Sequence, residues 1–406
     1  MAQQTIRVGL VGDSHFDETS RFEECVRLHD WIADDGFERG VDLWLHSGDV
    51  YERRSTPRER AAVAGWVQRL AHRAPVVIVR GNHDQLGDLP LLERLSTKHG
   101  VCVVEDARVV YATPNRLDAQ GVSHAWGVRV ACLAWPRKAE LLAATGAGGE
   151  VAQQDGQAAL RAVLGGFALR MDEEDRLGSP KPRILLAHAM VRGSVTSTGQ
   201  PLVGCDHELG LDDLALAGAH VVALGHIHKG QAWEYAGMPI IYPGSPRRTA
   251  FGELEAKGYA VITFDRAHNA WGLAGWEFVE APATPMLLAE DEWTHAGWAT
   301  GWRDIVQANV IGAEVRLRWT VAPDQREAAR AAAEQTRAHL FARGASSVKV
   351  EEVVRPHATA RSPEIGAAEG LPAQLDAYWR AARVELAGDR RERVLDMAAG
   401  LEGETQ

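Results

Sequence analysis

The sequence predicts an α/β fold: a two-sheet sandwich flanked by helices, then a small β-α-β domain and a C-terminal helical segment. Three observations carry this. Short apolar runs alternate with amphipathic helical stretches through the first 265 residues, which argues for parallel strands at the centre of a sheet. Several later apolar runs have no helix between them, which calls for a second, mixed sheet. After about residue 280 the texture changes, and Ala281-Pro282-Ala283-Thr284-Pro285 reads as a linker. The expected domains are 1–280, 281–355 and 356–406.

Residues 6–11 are a strand by composition and end at Gly12-Asp13. Phe22, Cys25, Val26, His29, Ile32 and Ala33 recur at helical spacing. Residues 41–45 are the next strand, ending at Ser47-Gly48-Asp49. Thr56-Pro57-Arg58-Glu59 reads as a capping box with proline at the first helical position. Val63, Trp66, Val67 and Leu70 form the buried stripe of that helix. Residues 76–79 are a third strand, ending at Gly81-Asn82-His83-Asp84. Further strands are expected at 101–104, 128–133, 184–187, 221–224, 239–242 and 259–264. The Gly- and Ala-rich stretch 143–151 reads as a loop before a helix that runs to about Arg176 and is closed by 178–182.

Beyond the linker, a strand at 314–321, an Ala-rich helix at 324–343 and a strand at 347–353 make the β-α-β domain. Residues 356–363 read as a further linker. Leu375, Tyr378, Trp379, Ala382 and Leu386 mark one short helix; Asp389 with Glu392 caps another carrying Val394, Ala398 and Leu401. Two short amphipathic helices cannot bury both faces against each other, so they need the rest of the chain or a partner.

The 406 residues are 46% apolar and 24% charged, which excludes a disordered or collagen-like chain. No run approaches the roughly 18 apolar residues of a membrane span. The first residues carry no cluster of positive charge ahead of a long apolar run, so no signal peptide is expected and the expected location is the cytoplasm. Cys25, Cys102, Cys132 and Cys205 are widely spaced, which speaks against a disulfide framework or a cysteine-zinc site. They are expected as buried small apolar residues. The net charge of −11 excludes coating nucleic acid by bulk electrostatics. It leaves room for a local basic groove, a positively charged partner, or a metal site that needs carboxylates.

Five short motifs follow expected strands: Asp13-x-His15, Gly48-Asp49, Gly81-Asn82-His83-Asp84, His188 and Gly225-His226-Ile227-His228. In an α/β sheet the carboxyl ends of strands line one edge, where ligands gather. Alone, Asp-x-His or Gly-Asp is an ordinary turn, and His188 after Leu185-Leu186-Ala187 is an ordinary core histidine. Alternation in an extended chain puts His226 and His228 on one face. Together the motifs supply Asp13, His15, Asp49, Asn82, His188, His226 and His228, all oxygen or imidazole ligands, a mixture suited to Mn, Fe or Zn. One tetrahedral site takes about four ligands; seven fit two sites that share a carboxylate. Two such cations can hold a phosphoryl group for hydrolysis.

These residues resemble the calcineurin-like metallophosphoesterase superfamily. Ala223-Leu224-Gly225-His226-Ile227-His228-Lys229-Gly230-Gln231, then Tyr242-Pro243-Gly244-Ser245-Pro246, Phe251-Gly252-Glu253 and Lys257-Gly258 narrow the resemblance to the SbcD-type DNA-repair nucleases. By layout, the β-α-β unit resembles that family's DNA-capping domain and the terminal helices resemble its grip on an SbcC-type coiled-coil ABC ATPase. The resemblance implies a two-sheet metallophosphoesterase sandwich, two divalent cations with Mn²⁺ foremost, and a homodimer. It implies that Asp13, His15, Asp49 and His228 hold the first metal, and that Asp49 bridges to a second completed by Asn82, His188 and His226. It implies that His83 is the catalytic histidine, orienting or protonating the leaving 3′-oxygen, with Asp84 as its support. Three positions depart from the pattern: Phe16, Glu52 and the pair Met190-Val191.

Arg53, Arg54, Arg58, Arg80, Arg192, Lys229, Arg247 and Arg248 cluster near these motifs and are candidate DNA contacts. The expected activity is a DNA exonuclease and single-strand endonuclease working in end processing and double-strand-break repair. The net acidity implies weak DNA binding by this chain alone. The alternatives are a phosphatase or phosphodiesterase of the same superfamily, and a scaffold subunit with a vestigial metal site.

Overall fold

Most of the central apolar runs are buried on both faces, and this decides the architecture. The computed structural model describes residues 4–113, 116–118, 127–136, 150–177, 180–197, 208–267, 270–355, 363–384, 386 and 388–403. A six-stranded sheet runs in the order Ala270–Glu280, Gly258–Ala267, Gln4–Val11, Leu43–His46, Val76–Val79, Val101–Val104. Its last four strands are parallel and the first two are antiparallel additions. A seven-stranded mixed sheet runs Gln231–Tyr235, Met238–Tyr242, Val221–Gly225, Arg183–His188, Val128–Leu133, Ala107–Thr113, Arg116–Asp118, with four parallel strands in its middle.

Alternation sorts the side chains into layers. Ile6, Val8, Leu10, Leu43, Leu45, Val77 and Val79 meet Val130, Cys132, Ile184, Leu186, Val221 and Ala223 between the sheets. The other face of the first sheet (Val11, Trp44, Val76, Ile78) packs on the helices Phe22–Glu38 and Pro57–Ala71. The other face of the second sheet (Leu185, Val222, Leu224, Ile240) packs on Leu160, Leu164, Phe167 and Met171 of the helix Glu150–Leu177. Burial on both faces is why the central strands read as unbroken apolar runs.

The capping box forms as expected. Thr56 Oγ1 accepts from the Glu59 amide, and Glu59 Oε2 accepts from the Thr56 amide at 2.8 Å. Strands missed from sequence include Gln231–Tyr235 at the sheet margin, Ala270–Glu280, which is mostly exposed, and Ala107–Thr113, whose last four residues are buried. Cys25 and Cys132 are buried and Cys102 is partly buried; Cys205, the 143–149 loop, the start of the 178–182 segment and the linker through 362 lie outside the described residues.

Two compact units divide the chain. The first comprises Met1–Leu288 with Val310–Val315 and Gly344–Ser347, so it runs past the expected boundary at 280. The second comprises Ala289–Asn309, Arg316–Arg343 and Val348–Gln406. The expected β-α-β elements appear as Glu314–Val321, Arg326–Ala342 and Ser347–Val354, but in a four-stranded sheet that also holds Met286–Thr294 and Gly297–Trp298. Within the second unit, Trp298 packs edge-on against Trp293 and Trp302 with centroids 4.8 and 4.7 Å away. The helices Leu371–Ala382 and Gly388–Gly403 bury Ala377, Trp379 and Ala398, and leave Tyr378, Met397 and Leu401 at 52%, 69% and 59% exposure.

Candidate metal centre

Five parallel strands end at one place. Gln4–Val11, Leu43–His46 and Val76–Val79 of the first sheet lead to Asp13 with His15, Asp49 and Asn82. Arg183–His188 ends on His188, and Val221–Gly225 ends one residue before His226. The loops are sewn together by main-chain bonds: the Asp13 amide donates to the Gly48 carbonyl at 3.1 Å and the His15 amide to the Asp49 carbonyl at 3.0 Å. Gly81 is required because a Cβ there would lie 2.1 Å from Asp49 Oδ1. Gly48, at φ +98°, faces His188 Nδ1 and Gly81 with no room for a side chain.

The backbone is strained where the ligands sit. Asp13, His15, Asp49 and His226 have φ of 50°, 46°, 53° and 113°, a region that costs non-glycine residues roughly 1 kcal/mol or more each. His226 therefore is not in extended chain, and the expectation that alternation aligns it with His228 is corrected. The strand stops at Gly225, and the left-handed turn at His226 sends the two rings to different groups of ligands.

Those groups are Asp13, His15, His228 and Asp49, His188, His226. In the first, His15 Nε2 and His228 Nε2 face each other at 2.9 Å. In the second, Asn82 Oδ1 lies 2.8 Å from His188 Nε2 and 3.0 Å from His226 Nδ1. Asp49 Oδ2 stands between them, 3.7 Å from His15 Nε2 and 3.3 Å from His188 Nε2. All seven candidate ligands thus converge. The donor set fits a pair of divalent cations. Asp13 Oδ2 is buried with no hydrogen-bond partner among the described residues, a costly state unless something accepts its lone pairs.

The outer faces of the rings are held. The Ser47 carbonyl accepts from His188 Nδ1 at 2.7 Å, which leaves Nε2 turned to Asp49. Thr249 Oγ1 lies 3.4 Å from His228 Nδ1 and donates to Glu253 at 2.8 Å. Such partners fix ring orientation in metal sites.

His83 stands at the mouth with 38% of its side chain exposed. Its amide donates to Asp49 Oδ1 at 2.8 Å and its Nδ1 donates to the Glu52 carbonyl at 2.8 Å. The expected support from Asp84 is corrected: the buried Asp84 carboxylate accepts from the amides of Tyr51 and Gly81, at 3.0 and 2.9 Å, and so braces the loop rather than the ring.

Burial and neighbouring charges oppose each other across the pocket. Burial disfavours ionisation of Asp49, but His188 and His15 outweigh it and hold the carboxyl well below its usual range. Burial opposes a charge on His188, yet Asp49 and Asp13 raise it to about 9. Burial lifts Asp13 and Asp84 each to about 6, with Asp49 adding to both. Burial, helped by His188, lowers His226 to about 4, and burial with His15 pushes His228 well below its usual value.

The expected DNA contacts divide. Arg54 and Arg192 are exposed and Lys229 is half-buried. Arg53 pairs with Asp17 at 2.7 Å, and Arg58 pairs with Glu23 while lying 4.5 Å over the Phe22 ring. Three assignments are corrected. Arg247 is buried and donates to the His15 carbonyl at 2.7 Å. Arg248 donates to the carbonyls of Glu253 and Glu255 at 2.8 and 2.9 Å. Arg80 is buried and donates to the carbonyls of Gly81 and Trp135. These guanidiniums hold loops.

Sequence reasoning missed a buried network beneath the first motif. Ser14 Oγ lies 2.7 Å from His29 Nε2 and 2.8 Å from His46 Nε2, and His29 Nδ1 donates to the Cys25 carbonyl at 2.7 Å. Its only sequence signal was a histidine on the apolar stripe of the first helix. Trp135 was missed too; its ring lies over that of His226, centroids 4.8 Å apart at 30°.

Among solved structures, the chain resembles one from Thermus thermophilus at 13% identity, covering 67% of this chain and 99% of that one with a TM-score of 0.35. It resembles a dimetal phosphatase from Danio rerio at 13% identity, with 68% and 97% covered and a TM-score of 0.35. It also resembles a predicted phosphoesterase from Streptococcus pneumoniae at 12% identity, with 65% and 88% covered and a TM-score of 0.25. The family model described as calcineurin-like phosphoesterase matches residues 6–230. That span is more than half of the sequence and contains every strand end that brings a ligand to the centre, and the chain belongs to the calcineurin-like phosphoesterase family.

Proposed function

We propose that the chain is a two-metal DNA nuclease subunit of the SbcD type. It would process DNA ends as a duplex exonuclease and single-strand endonuclease, as a homodimer, together with an SbcC-type coiled-coil ABC ATPase. Family membership makes it a metal-dependent phosphoester hydrolase; DNA as substrate is the finer reading. The observation that carries a paired-cation mechanism is Asp49 Oδ2, within 3.7 Å of one group and 3.3 Å of the other. Support for DNA comes from the Gly225–Gln231 and Tyr242–Pro246 motifs. It comes also from a second unit and terminal helices that a stand-alone phosphatase has less need of.

Two divalent cations, Mn²⁺ foremost, would polarise the phosphoryl group and activate the attacking water. The chain's own residues do the rest. Asp49 ties the two halves. The Glu52 carbonyl accepts from His83 Nδ1; with the ring protonated at Nε2 as well, that nitrogen would hand its proton to the leaving sugar oxygen while Nδ1 keeps its own, a step worth typically 10²–10⁴-fold. Exposed Asn82 and His83 leave the mouth open to a polymer.

The test is a Mn²⁺-dependent assay on end-labelled linear duplex and on a small phosphodiester. Wild type is expected to cut the duplex, and Asp49→Asn to abolish cleavage. His83→Gln is expected to keep its metal and to slow cleavage by about 10²-fold or more; cutting at the wild-type rate would remove His83 from the mechanism. One observation favours the alternative of a small-ester phosphodiesterase or phosphatase: Arg247 and Arg248 are spent on carbonyls, which thins the basic surface. Activity on the small diester with none on DNA would establish it.

A further inference from the structure

We propose that Ser14, His29 and His46 are positioning residues: a hydrogen-bond chain of fixed direction that locks the loop of Asp13 and His15 to the loop of Asp49, a role that rests on the paired-cation reading above. All three are buried. Ser14 stands between two candidate ligands, His29 comes from the first helix and His46 ends the strand that leads to Asp49.

The two ends of the chain set its direction. The Gly48 amide donates to His46 Nδ1 at 3.2 Å. An amide N–H only donates, so that nitrogen carries a lone pair and the proton of the neutral ring is on Nε2. The Cys25 carbonyl accepts from His29 Nδ1 at 2.7 Å. A carbonyl only accepts, so the His29 proton is on Nδ1 and its Nε2 is bare. A hydroxyl can accept one bond and donate another. Ser14 Oγ therefore accepts from His46 Nε2 at 2.8 Å and donates to His29 Nε2 at 2.7 Å. Every proton from Gly48 to Cys25 is used once. Burial, with the Arg247 guanidinium adding to it, lowers His29 to about 4, and burial with His29 lowers His46 to about 3. Both rings are neutral, as the chain requires.

Gly48 precedes Asp49, and Ser14 lies between Asp13 and His15. Those three ligands hold left-handed backbone, which persists only where the surroundings fix it. The chain does so from below, gripping one loop at the Gly48 amide and the other at the Ser14 side chain. Its walls are apolar. Trp66 stands edge-on to both rings, with centroids 4.7 Å from His29 and 6.0 Å from His46, and Phe16 lies 4.5 Å from His29. In such a setting a missing bond is costly. Removing the Ser14 hydroxyl takes a partner from each ring and frees the two loops from each other.

Two measurements on the full-length chain test this. Proton–nitrogen correlation spectra of the metal-free protein, with isotope-labelled histidine and assignment by His29→Gln and His46→Gln, show which nitrogen bears each proton. Nδ1 of His29 and Nε2 of His46 are expected; the same nitrogen in both, or a doubly protonated ring, would overturn the proposal. Mn²⁺ titration by calorimetry then compares wild type, Ser14→Ala and Val63→Ala, with circular dichroism to check folding. Val63 lies in the apolar cluster around Trp66 and is no member of the chain, so its truncation controls for loosened packing. Val63→Ala is expected to bind within about threefold of wild type and Ser14→Ala about tenfold or more weaker, the scale on which groups behind metal ligands act. Unchanged affinity in Ser14→Ala, or equal weakening in both variants, would overturn the positioning role. Wild type that binds no Mn²⁺ would overturn the paired-cation reading and that role with it; the proton positions are read without metal, so the two failures are told apart.

Discussion

Asp49 is the residue on which both halves of the centre close. One carboxylate oxygen faces His15 and His188, and the other accepts the His83 amide. Four candidate ligands hold left-handed backbone, strain that persists only where the surroundings fix it. The charge state of His188 gives a prediction. Its value rises from 6.5 to about 9 because Asp49 outweighs burial. The metal-free chain is therefore stabilised by this group below 6.5, and the contribution is lost as pH rises through 9. A metal needs the neutral ring, so loading Mn²⁺ at pH 7.5 should release close to one proton from His188. Calorimetry in two buffers of different ionisation enthalpy measures this; no release would contradict the assigned ligand. The seven ligands were legible in the sequence because each follows a strand that reads clearly. The contacts of Ser14, His29 and His46 were not, since a buried serine and histidines within apolar runs carry no local signature of what they touch.

At the scale of elements, the sheet edge depends on how closely the first strand and first helix approach. Trp44 is buried, and both Gly9 and Gly36 lie against its ring. A Cβ on Gly36 would sit 2.3 Å from Trp44 Cη2. Gly36→Ala should destabilise the first unit by about 1–3 kcal/mol, read as a lower urea midpoint. An unchanged midpoint would show that this helix can move off the sheet at no cost. Strands buried on both faces were legible as apolar runs, Val76–Val79 and Val128–Leu133 among them. Ala270–Glu280 was not, because six of its eleven positions are exposed and Gly272 and Gly275 interrupt its pattern. The β-α-β reading of the second unit missed Met286–Thr294 for the same reason: polar residues on an exposed face look like loop.

For the whole molecule, the centre lies within the first unit, and the terminal helices belong to the second. Removing the residues after 361 should leave Mn²⁺-dependent cleavage of a small diester within about twofold of wild type, since no proposed ligand is lost. The same truncation should abolish co-purification with the proposed ATPase partner, because exposed Tyr378, Met397 and Leu401 are the apolar surface it would cover. Retained association would place the partner elsewhere. With a net charge of −11, the proposed affinity for duplex DNA should rise when the proposed partner is present. All of this depends on two cations held by a shared carboxylate. The most direct measurement is Mn²⁺ stoichiometry with electron paramagnetic resonance on wild type and Asp49→Asn. Two spin-coupled ions per chain, with the coupling lost in Asp49→Asn, is the predicted result; one isolated ion, or coupling that survives the substitution, would contradict it.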